Sequence, residues 1–188
     1  MKNLLMSFCM LFLCTAILAQ RDFSETRIKI SPKSELIIAG STNVNKFDCK
    51  FDSDLIKGNR EIEYSKGEKE IRFKGLSLKL ATDAFDCAHR RMNEDLQDLL
   101  KFDEYPAIVL EINKVELISE EFVRAFITVN LAGGQKDYEL PVHINDNNFE
   151  GEFNINIRDF GLEPPKKAMG LVQVREIIEV QFNLKVLR

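Results

Sequence analysis

The 188-residue sequence contains no tryptophan and only two histidines, His89 and His143. It also has no Gly-x-Ser-x-Gly turn, no phosphate-binding glycine loop and no His-Glu-x-x-His segment, the motifs that mark many hydrolases, nucleotide-binding enzymes and zinc peptidases. Cys87 stands close to His89, but no second cysteine and histidine pair with zinc spacing accompanies them. The sequence therefore predicts a protein that is not an enzyme, and we expect no catalytic residue, no metal site and no cofactor.

Positive charge is scarce as well. The chain has 26 lysines and arginines against 30 aspartates and glutamates, a formal net charge of −4. Proteins that bind nucleic acid usually present a basic face. We therefore expect neither a general nucleic-acid binder nor a general binder of anionic membranes, and no nucleic-acid partner, although a local cluster of positive charge stays open.

Long hydrophobic runs are missing except at the start of the chain. Lys2 supplies a positive charge, the apolar run from residue 4 to residue 18 contains no charge, and Ala19 offers a small residue at a cleavage edge. The run is too short to cross a membrane comfortably. The pattern predicts a cleavable signal peptide over residues 1–19, an exported chain without a transmembrane segment, and one domain over residues 22–188.

The chain has only four cysteines, and two of them, Cys9 and Cys14, would leave with the signal peptide. A lipoprotein would need Cys14 as its lipidated residue, and Leu13 is too bulky a neighbour for that. Cys49 and Cys87 remain. An even pair in an exported protein favours a disulfide, and two buried free thiols are the alternative.

Most of the remaining sequence alternates between apolar and polar residues with a period of two, which is typical of strands with one buried face. The pattern slips at Lys74-Gly75, which predicts a bulge or a bend. A chain with so many apolar strand faces needs a second layer to cover them. Roughly eight antiparallel strands joined by short turns therefore predict an all-β barrel or sandwich. The runs fall at residues 35–40, 45–51, 62–64, 70–80, 107–117, 122–131, 138–144, 149–157 and 178–186.

One stretch departs from this pattern and predicts a helix inserted midway along the chain, over about residues 89–102. Met92, Leu96, Leu99 and Leu100 follow helical spacing and share one face. The Tyr105-Pro106 pair limits the helix, because the residue before a proline is pushed out of the α region. We expect the apolar face of this helix to pack on the barrel.

The one basic cluster, His89, Arg90 and Arg91, stands at the start of this helix. Backbone N–H groups at a helix N-terminus favour anions, and guanidinium groups match phosphate geometry. The cluster is therefore our candidate site for an anionic head group. The alternative is that the arginines pair with nearby acidic residues at the surface.

Several segments together resemble the YceI-like family of exported, lipocalin-like β-barrels. Their order and spacing are more specific than any one of them, and together they cover nearly the whole mature chain. The segments are Gly40 to Phe47 with Cys49, Cys87 with Met92 to Leu96, Leu100-Lys101 with Tyr105 to Ile108, Val129 to Gly133 with Lys136, and Phe153 to Gly161 with Pro164-Pro165 and Met169 to Leu171.

The resemblance implies an eight-stranded, antiparallel, lipocalin-like barrel with one inserted helix, located in the periplasm. It further implies a non-enzymatic protein that holds a polyisoprenoid or a similar long amphiphilic lipid, and it supports the Cys49–Cys87 disulfide. It leaves open a homodimer and, as the alternative function, a structural or stress-related envelope barrel with a filled core. The residues expected to line the lipid tail are Phe47, Phe73, Leu78, Met92, Leu96, Leu110, Ile112, Val129, Leu140, Phe153, Ile155 and Phe182.

Overall fold

The computed structural model of the chain describes residues 22–56, 59–167 and 171–187, with the backbone only at residues 166 and 167. The predicted signal peptide, residues 1–19, lies outside the described residues.

Strands account for most of the described part of the chain, and one α-helix interrupts them between β7 and β8. Short 3-10 turns occupy Ser53–Leu55, Thr82–Ala84 and Ile157–Phe160. The elements are β1 (Ser24–Ile30), β2 (Glu35–Ser41), β3 (Lys46–Phe51), β4 (Asn59–Lys66), β5 (Glu70–Lys74), β6 (Ser77–Ala81), β7 (Phe85–Asp86), α1 (Arg90–Leu99), β8 (Ala107–Leu117), β9 (Phe122–Leu131), β10 (Gly134–Asn145), β11 (Asn148–Asn156), β12 (Lys166–Lys167), β13 (Val172–Gln173) and β14 (Ile177–Leu187).

Eight of the strands form a closed antiparallel ring. Its order is β1, β4, β5, β8, β9, β10, β11 and β14, and β1 pairs with β14 to complete the circle. The closing register places Ile30 opposite Val186. The predicted eight-stranded barrel with one inserted helix is therefore confirmed. Closure gives hydrogen-bond partners to the backbone groups at the strand edges, and it puts one apolar face of each strand inside the barrel.

The wall of the barrel differs between its two ends because two long strands change partners along their length. Residues 179–183 of β14 pair with β2, whereas its last residues pair with β1. In the same way, residues 107–111 of β8 pair with β6, and residues 114–116 pair with β5 after a register shift. At one end, β2 therefore continues the wall through β3 to β7, and β6 covers the other side.

The bend predicted at Gly75 is confirmed. Strand β5 ends at Lys74, Gly75 adopts a left-handed φ of 67°, and β6 begins at Ser77. Glycine tolerates this backbone region because it has no Cβ. The bend lets one sequence run contribute two strands to opposite ends of β8.

The helix is shorter than the predicted range 89–102. It begins after His89 and ends at Leu99, because Lys101 turns the chain with a left-handed φ of 54°. Leu100 is buried, and Met92, Leu96 and Leu99 are partly buried against the core, so the expected apolar face does pack on the barrel.

The apolar and polar alternation in the sequence does not predict strand β1. Its segment, SETRIKI, contains only two large apolar residues, and the first four of its seven residues are exposed. The strand is held by backbone pairing with β4 and β14 rather than by a buried face. Hydrophobic periodicity is a weak signal in such a strand.

Candidate ligand cavity

The interior of the barrel is not completely filled. A cavity of about 260 Å³ lies at the end where β2, β3, β6 and β7 form the wall, and α1 covers it. One water molecule needs only ~15 Å³, so the space is large enough for part of an organic molecule. The lining residues are Leu36, Ile38, Thr42, Asn45, Phe47, Cys49, Leu80, Phe85, Cys87, Met92, Asp95, Leu96, Leu99, Leu100, Ile108, Leu110, Val129, Leu131, Phe153, Ile155, Ile157, Pro165, Val172, Val174, Ile178 and Val180.

The deep part of the cavity is apolar and shielded from water. Val129 is 1% exposed, Leu80 and Phe85 are each 2% exposed, and Ile157 is 3% exposed. These residues come from four different segments, so the inward faces of several strands converge on one space. Such a surface has no hydrogen bonds to offer and favours an apolar guest.

The shallow part of the cavity, which we call the mouth, is bounded by the turn between β2 and β3, by α1 and by the segment from Val172 to Val174. Its polar lining residues are Thr42, Asn45 and Asp95. The Thr42 hydroxyl donates a hydrogen bond to Asn45 Oδ1 at 2.8 Å and accepts one from the Asn45 backbone N–H at 2.9 Å. The mouth thus combines polar groups with an apolar surround, as expected for a site that holds an amphiphile.

Seven of the twelve residues predicted to line a lipid tail border this cavity. They contribute from β3, α1, β8, β9 and β11. The seven are Phe47, Met92, Leu96, Leu110, Val129, Phe153 and Ile155.

The other five predicted tail residues lie elsewhere in the barrel. Leu78 and Leu140 are buried in the core, and Phe73, Ile112 and Phe182 are partly buried. None of the five borders the cavity. Two of them are nevertheless paired with residues that line the cavity, Leu78 with Leu110 and Phe182 with Leu36.

The sequence did not predict the part of the cavity wall that β2 and β14 form. Leu36 and Ile38 on β2, and Ile178 and Val180 on β14, line the cavity. These strands are paired, with Ile38 opposite Val180. Both strands alternate clearly in the sequence, but alternation shows only which residues point inward and not at which end the interior is hollow.

The expected disulfide is present and forms part of the cavity wall. Cys49 of β3 is bonded to Cys87, three residues before the first residue of α1, and both residues line the cavity. The Cys87 backbone N–H donates to Asn93 Oδ1 at 2.7 Å, which adds a polar tie between this segment and the first turn of the helix. The start of α1 is therefore fastened to the barrel covalently.

The predicted head-group residues His89, Arg90 and Arg91 are exposed and do not border the cavity. His89 caps the helix, because its Nδ1 accepts a hydrogen bond from the Arg91 backbone N–H at 3.2 Å. Arg90 forms an ion pair with Glu94 at 3.0 Å. The cluster adjoins Met92 in sequence, and its role toward an anionic head group stays a prediction.

Two further features bear on the chemistry of the described residues. Their histidines, cysteines and acidic side chains form no group of three that could hold a metal ion.

Tyr138 lies beside the cavity residue Phe153, with ring centroids 5.6 Å apart. Burial of the Tyr138 hydroxyl, with a smaller contribution from Asp159, raises its pKa above the usual 10.0 and keeps the group neutral.

A family model described as a YceI-like domain matches residues 20–186, nearly the whole chain. The chain belongs to the YceI-like family. No match was found among curated proteins. In the described part of this YceI-like protein, no helix is long and apolar enough to cross a membrane.

Solved structures share the fold of this YceI-like chain at low sequence identity. BcnA of Burkholderia cenocepacia is 14% identical with a TM-score of 0.63, over 85% of this chain and 100% of that one. A polyisoprenoid binding domain from Saccharophagus degradans, implicated in plant cell wall breakdown, is 14% identical with a TM-score of 0.55, over 85% and 97%. The YceI protein of Campylobacter jejuni is 20% identical with a TM-score of 0.52, over 62% and 74%.

Proposed function

We propose that this YceI-like protein is an exported, non-enzymatic binding protein that holds the apolar chain of a polyisoprenoid or a similar amphiphilic lipid in its barrel. The observation that carries the proposal is the apolar cavity of about 260 Å³ between the barrel wall and α1. Burial of the tail against this wall drives binding, at ~25 cal/mol for each Å² of apolar surface removed from water.

The size of the cavity favours one slender chain. Its volume of about 260 Å³ is slightly below the ~300–1,000 Å³ typical of pockets for drug-sized ligands. The polar residues Thr42, Asn45 and Asp95 lie at the mouth, where the head of an amphiphile would meet water. The tail therefore enters first and the head remains at the mouth.

Family membership and the Cys49–Cys87 disulfide support a periplasmic location for this protein. A disulfide forms and persists in oxidising compartments, and the first nineteen residues have the pattern of a signal peptide. The Saccharophagus degradans relative, described as a polyisoprenoid binding domain, supports the class of ligand.

The test is organic extraction of the protein purified from the periplasm, followed by mass spectrometry, and titration of the delipidated protein with geranylgeraniol. We expect an extractable lipid with a long apolar chain and saturable binding of geranylgeraniol. Leu96 lines the cavity from α1, so Leu96→Asp should weaken binding about tenfold or more by placing a charge against the tail.

The matched control is Leu117→Asp, because Leu117 is 39% exposed at the far end of β8 and does not border the cavity. This variant should bind geranylgeraniol as the parent protein does. An absence of extracted lipid together with no binding of geranylgeraniol by the parent protein would overturn the proposal.

A further inference from the structure

The two most exposed large apolar side chains among the described residues lie on two hydrogen-bonded segments at the mouth of the cavity. Leu171 is 73% exposed and Val44 is 67% exposed. We call these two residues the apolar tips. An isolated exposed leucine is ordinary, but both tips lie next to residues that line the apolar cavity.

Hydrogen bonds through Asn43 hold the two tips together. The Asn43 Nδ2 group donates to the backbone oxygen of Leu171 at 2.9 Å, and Asn43 Oδ1 accepts from the Gln173 backbone N–H at 3.0 Å. Thr42 also forms a β-bridge with Val174. The turn that carries Val44 and the segment that carries Leu171 are therefore one surface.

The surface is continuous with the cavity. Thr42 and Asn45, on either side of Asn43 and Val44, line the cavity, and so does Val172, the neighbour of Leu171. An apolar chain that leaves the cavity at this point passes beside the two segments that carry the tips.

We propose that the apolar tips dock this protein on the surface of a lipid bilayer, so that its guest passes between the bilayer and the cavity without crossing water. The inference rests on the proposed function. Release of a long apolar chain into water is unfavourable, because each methylene that becomes exposed to water costs free energy. When the mouth touches the bilayer, the chain can move between the cavity and the lipid without this exposure to water.

The small area of the tips favours a bilayer over a second copy of the chain. Two side chains offer far less than the ~800 Å² that each partner contributes to a stable protein interface. Shallow insertion of a few aliphatic side chains, by contrast, suits weak and reversible contact with lipid. Lys46, two residues after Val44, is exposed and carries a positive charge that suits the phosphates of lipid head groups.

The absence of tryptophan from the sequence permits a direct test with a single reporter. In Leu171→Trp, addition of vesicles of phosphatidylcholine and phosphatidylglycerol should shift the emission to shorter wavelength, and brominated lipid should quench it. In the control Leu55→Trp, neither change should occur. Leu55 is 55% exposed but lies at the opposite end of β3 from the turn that carries Val44.

The second arm measures transfer of a fluorescent geranylgeraniol derivative from the same vesicles to the protein. The rate should rise with vesicle concentration, and Val44→Asp with Leu171→Asp should slow it roughly tenfold because two aliphatic contacts with the bilayer are lost. The control pair Leu55→Asp with Ile118→Asp, also exposed and far from the mouth, should transfer at the parental rate. Equilibrium binding of the derivative delivered from detergent should be equal in all of these proteins.

The outcomes separate this inference from the proposed function. Binding of the derivative from detergent, with transfer rates that ignore both vesicle concentration and the tip substitutions, overturns the bilayer contact alone. Failure of the parent protein to bind the derivative from detergent overturns the proposed function, and the emission of Leu171→Trp still decides whether the tips touch lipid. An emission shift that depends on protein concentration without vesicles indicates self-association and overturns the bilayer contact.

Discussion

Two glycines of the barrel carry phenylalanine rings directly over them. Gly40 lies opposite Phe47 on β3, and a Cβ at residue 40 would come within 2.3 Å of Phe47 Cζ. Gly151 lies opposite Phe182 in the same way, with a Cβ to Phe182 Cζ distance of 2.6 Å. Only Phe47 lines the cavity. The two pairs therefore allow one perturbation to be compared inside and outside the site.

We expect Gly40→Ala to weaken geranylgeraniol binding, because the new methyl group displaces the Phe47 ring toward the cavity. Gly151→Ala should leave binding unchanged, although both variants should lose ~1–3 kcal/mol in the free energy of unfolding from overpacking. Titration with geranylgeraniol and urea denaturation measure the two effects. Equal affinities in the two variants would show that the ring of Phe47 does not shape the site.

At the scale of single residues, the sequence predicts whether a side chain points into the barrel better than it predicts what that side chain contacts there. Phe153 and Phe73 both occupy alternating positions, but Phe153 borders the cavity and Phe73 does not. The difference arises because β11 runs along the wall of the hollow end, whereas β5 pairs with β8 at the other end. Strand pairing over long sequence separations decides this, and alternation carries no information about it.

At the scale of elements, the helix and its attachment are the features that shape the cavity. The helical face from Met92 to Leu100 was predictable because its spacing is regular. Its end at Leu99 was not, since the left-handed conformation of Lys101 has no marker such as glycine in the sequence. The disulfide places the start of the same helix against β3.

We expect the double variant Cys49→Ala with Cys87→Ala to unfold at lower urea concentration than the oxidised parent protein. The bond spans a sequence separation of 38 residues. A bond that closes a loop of this length contributes about 4 kcal/mol in the chain-entropy model. Geranylgeraniol should also bind less tightly, because the wall that the two residues form is no longer held together. Urea denaturation and titration measure both effects.

The control for this prediction is the response to a reducing agent. Dithiothreitol should lower the urea midpoint of the parent protein toward that of the double variant and should leave the double variant unchanged. If it lowers both midpoints equally, the reductant does not act through this bond.

At the scale of the whole molecule, closure of the ring depends on β1. This strand has few buried side chains, yet it joins β4 to β14. The apolar strand faces predicted a closed β structure of roughly eight strands, but two of the predicted runs, β2 and β3, lie outside the ring, and the closing strand β1 was not predicted. The extension of the wall through β2, β3 and β7 was equally hidden, because it requires β14 to exchange partners along its length.

We expect a chain that starts at Ser31, and so lacks β1, to be much less stable than a chain that starts at Ser24. Loss of β1 exposes the backbone edges of β4 and β14, which pair with β1 in the intact barrel. Urea denaturation and light scattering compare the two proteins, and the shortened chain should aggregate. Equal urea midpoints would show that the ring does not need this strand.

The closing pair of Ile30 with Val186 joins the first and the last strand of the ring in chain order. A nascent polypeptide made in order from its N-terminus has β4, one partner of β1, at an early stage, but it lacks β14, the other partner, until that strand is synthesised. The barrel therefore stays open until β14 is available, and it closes only then.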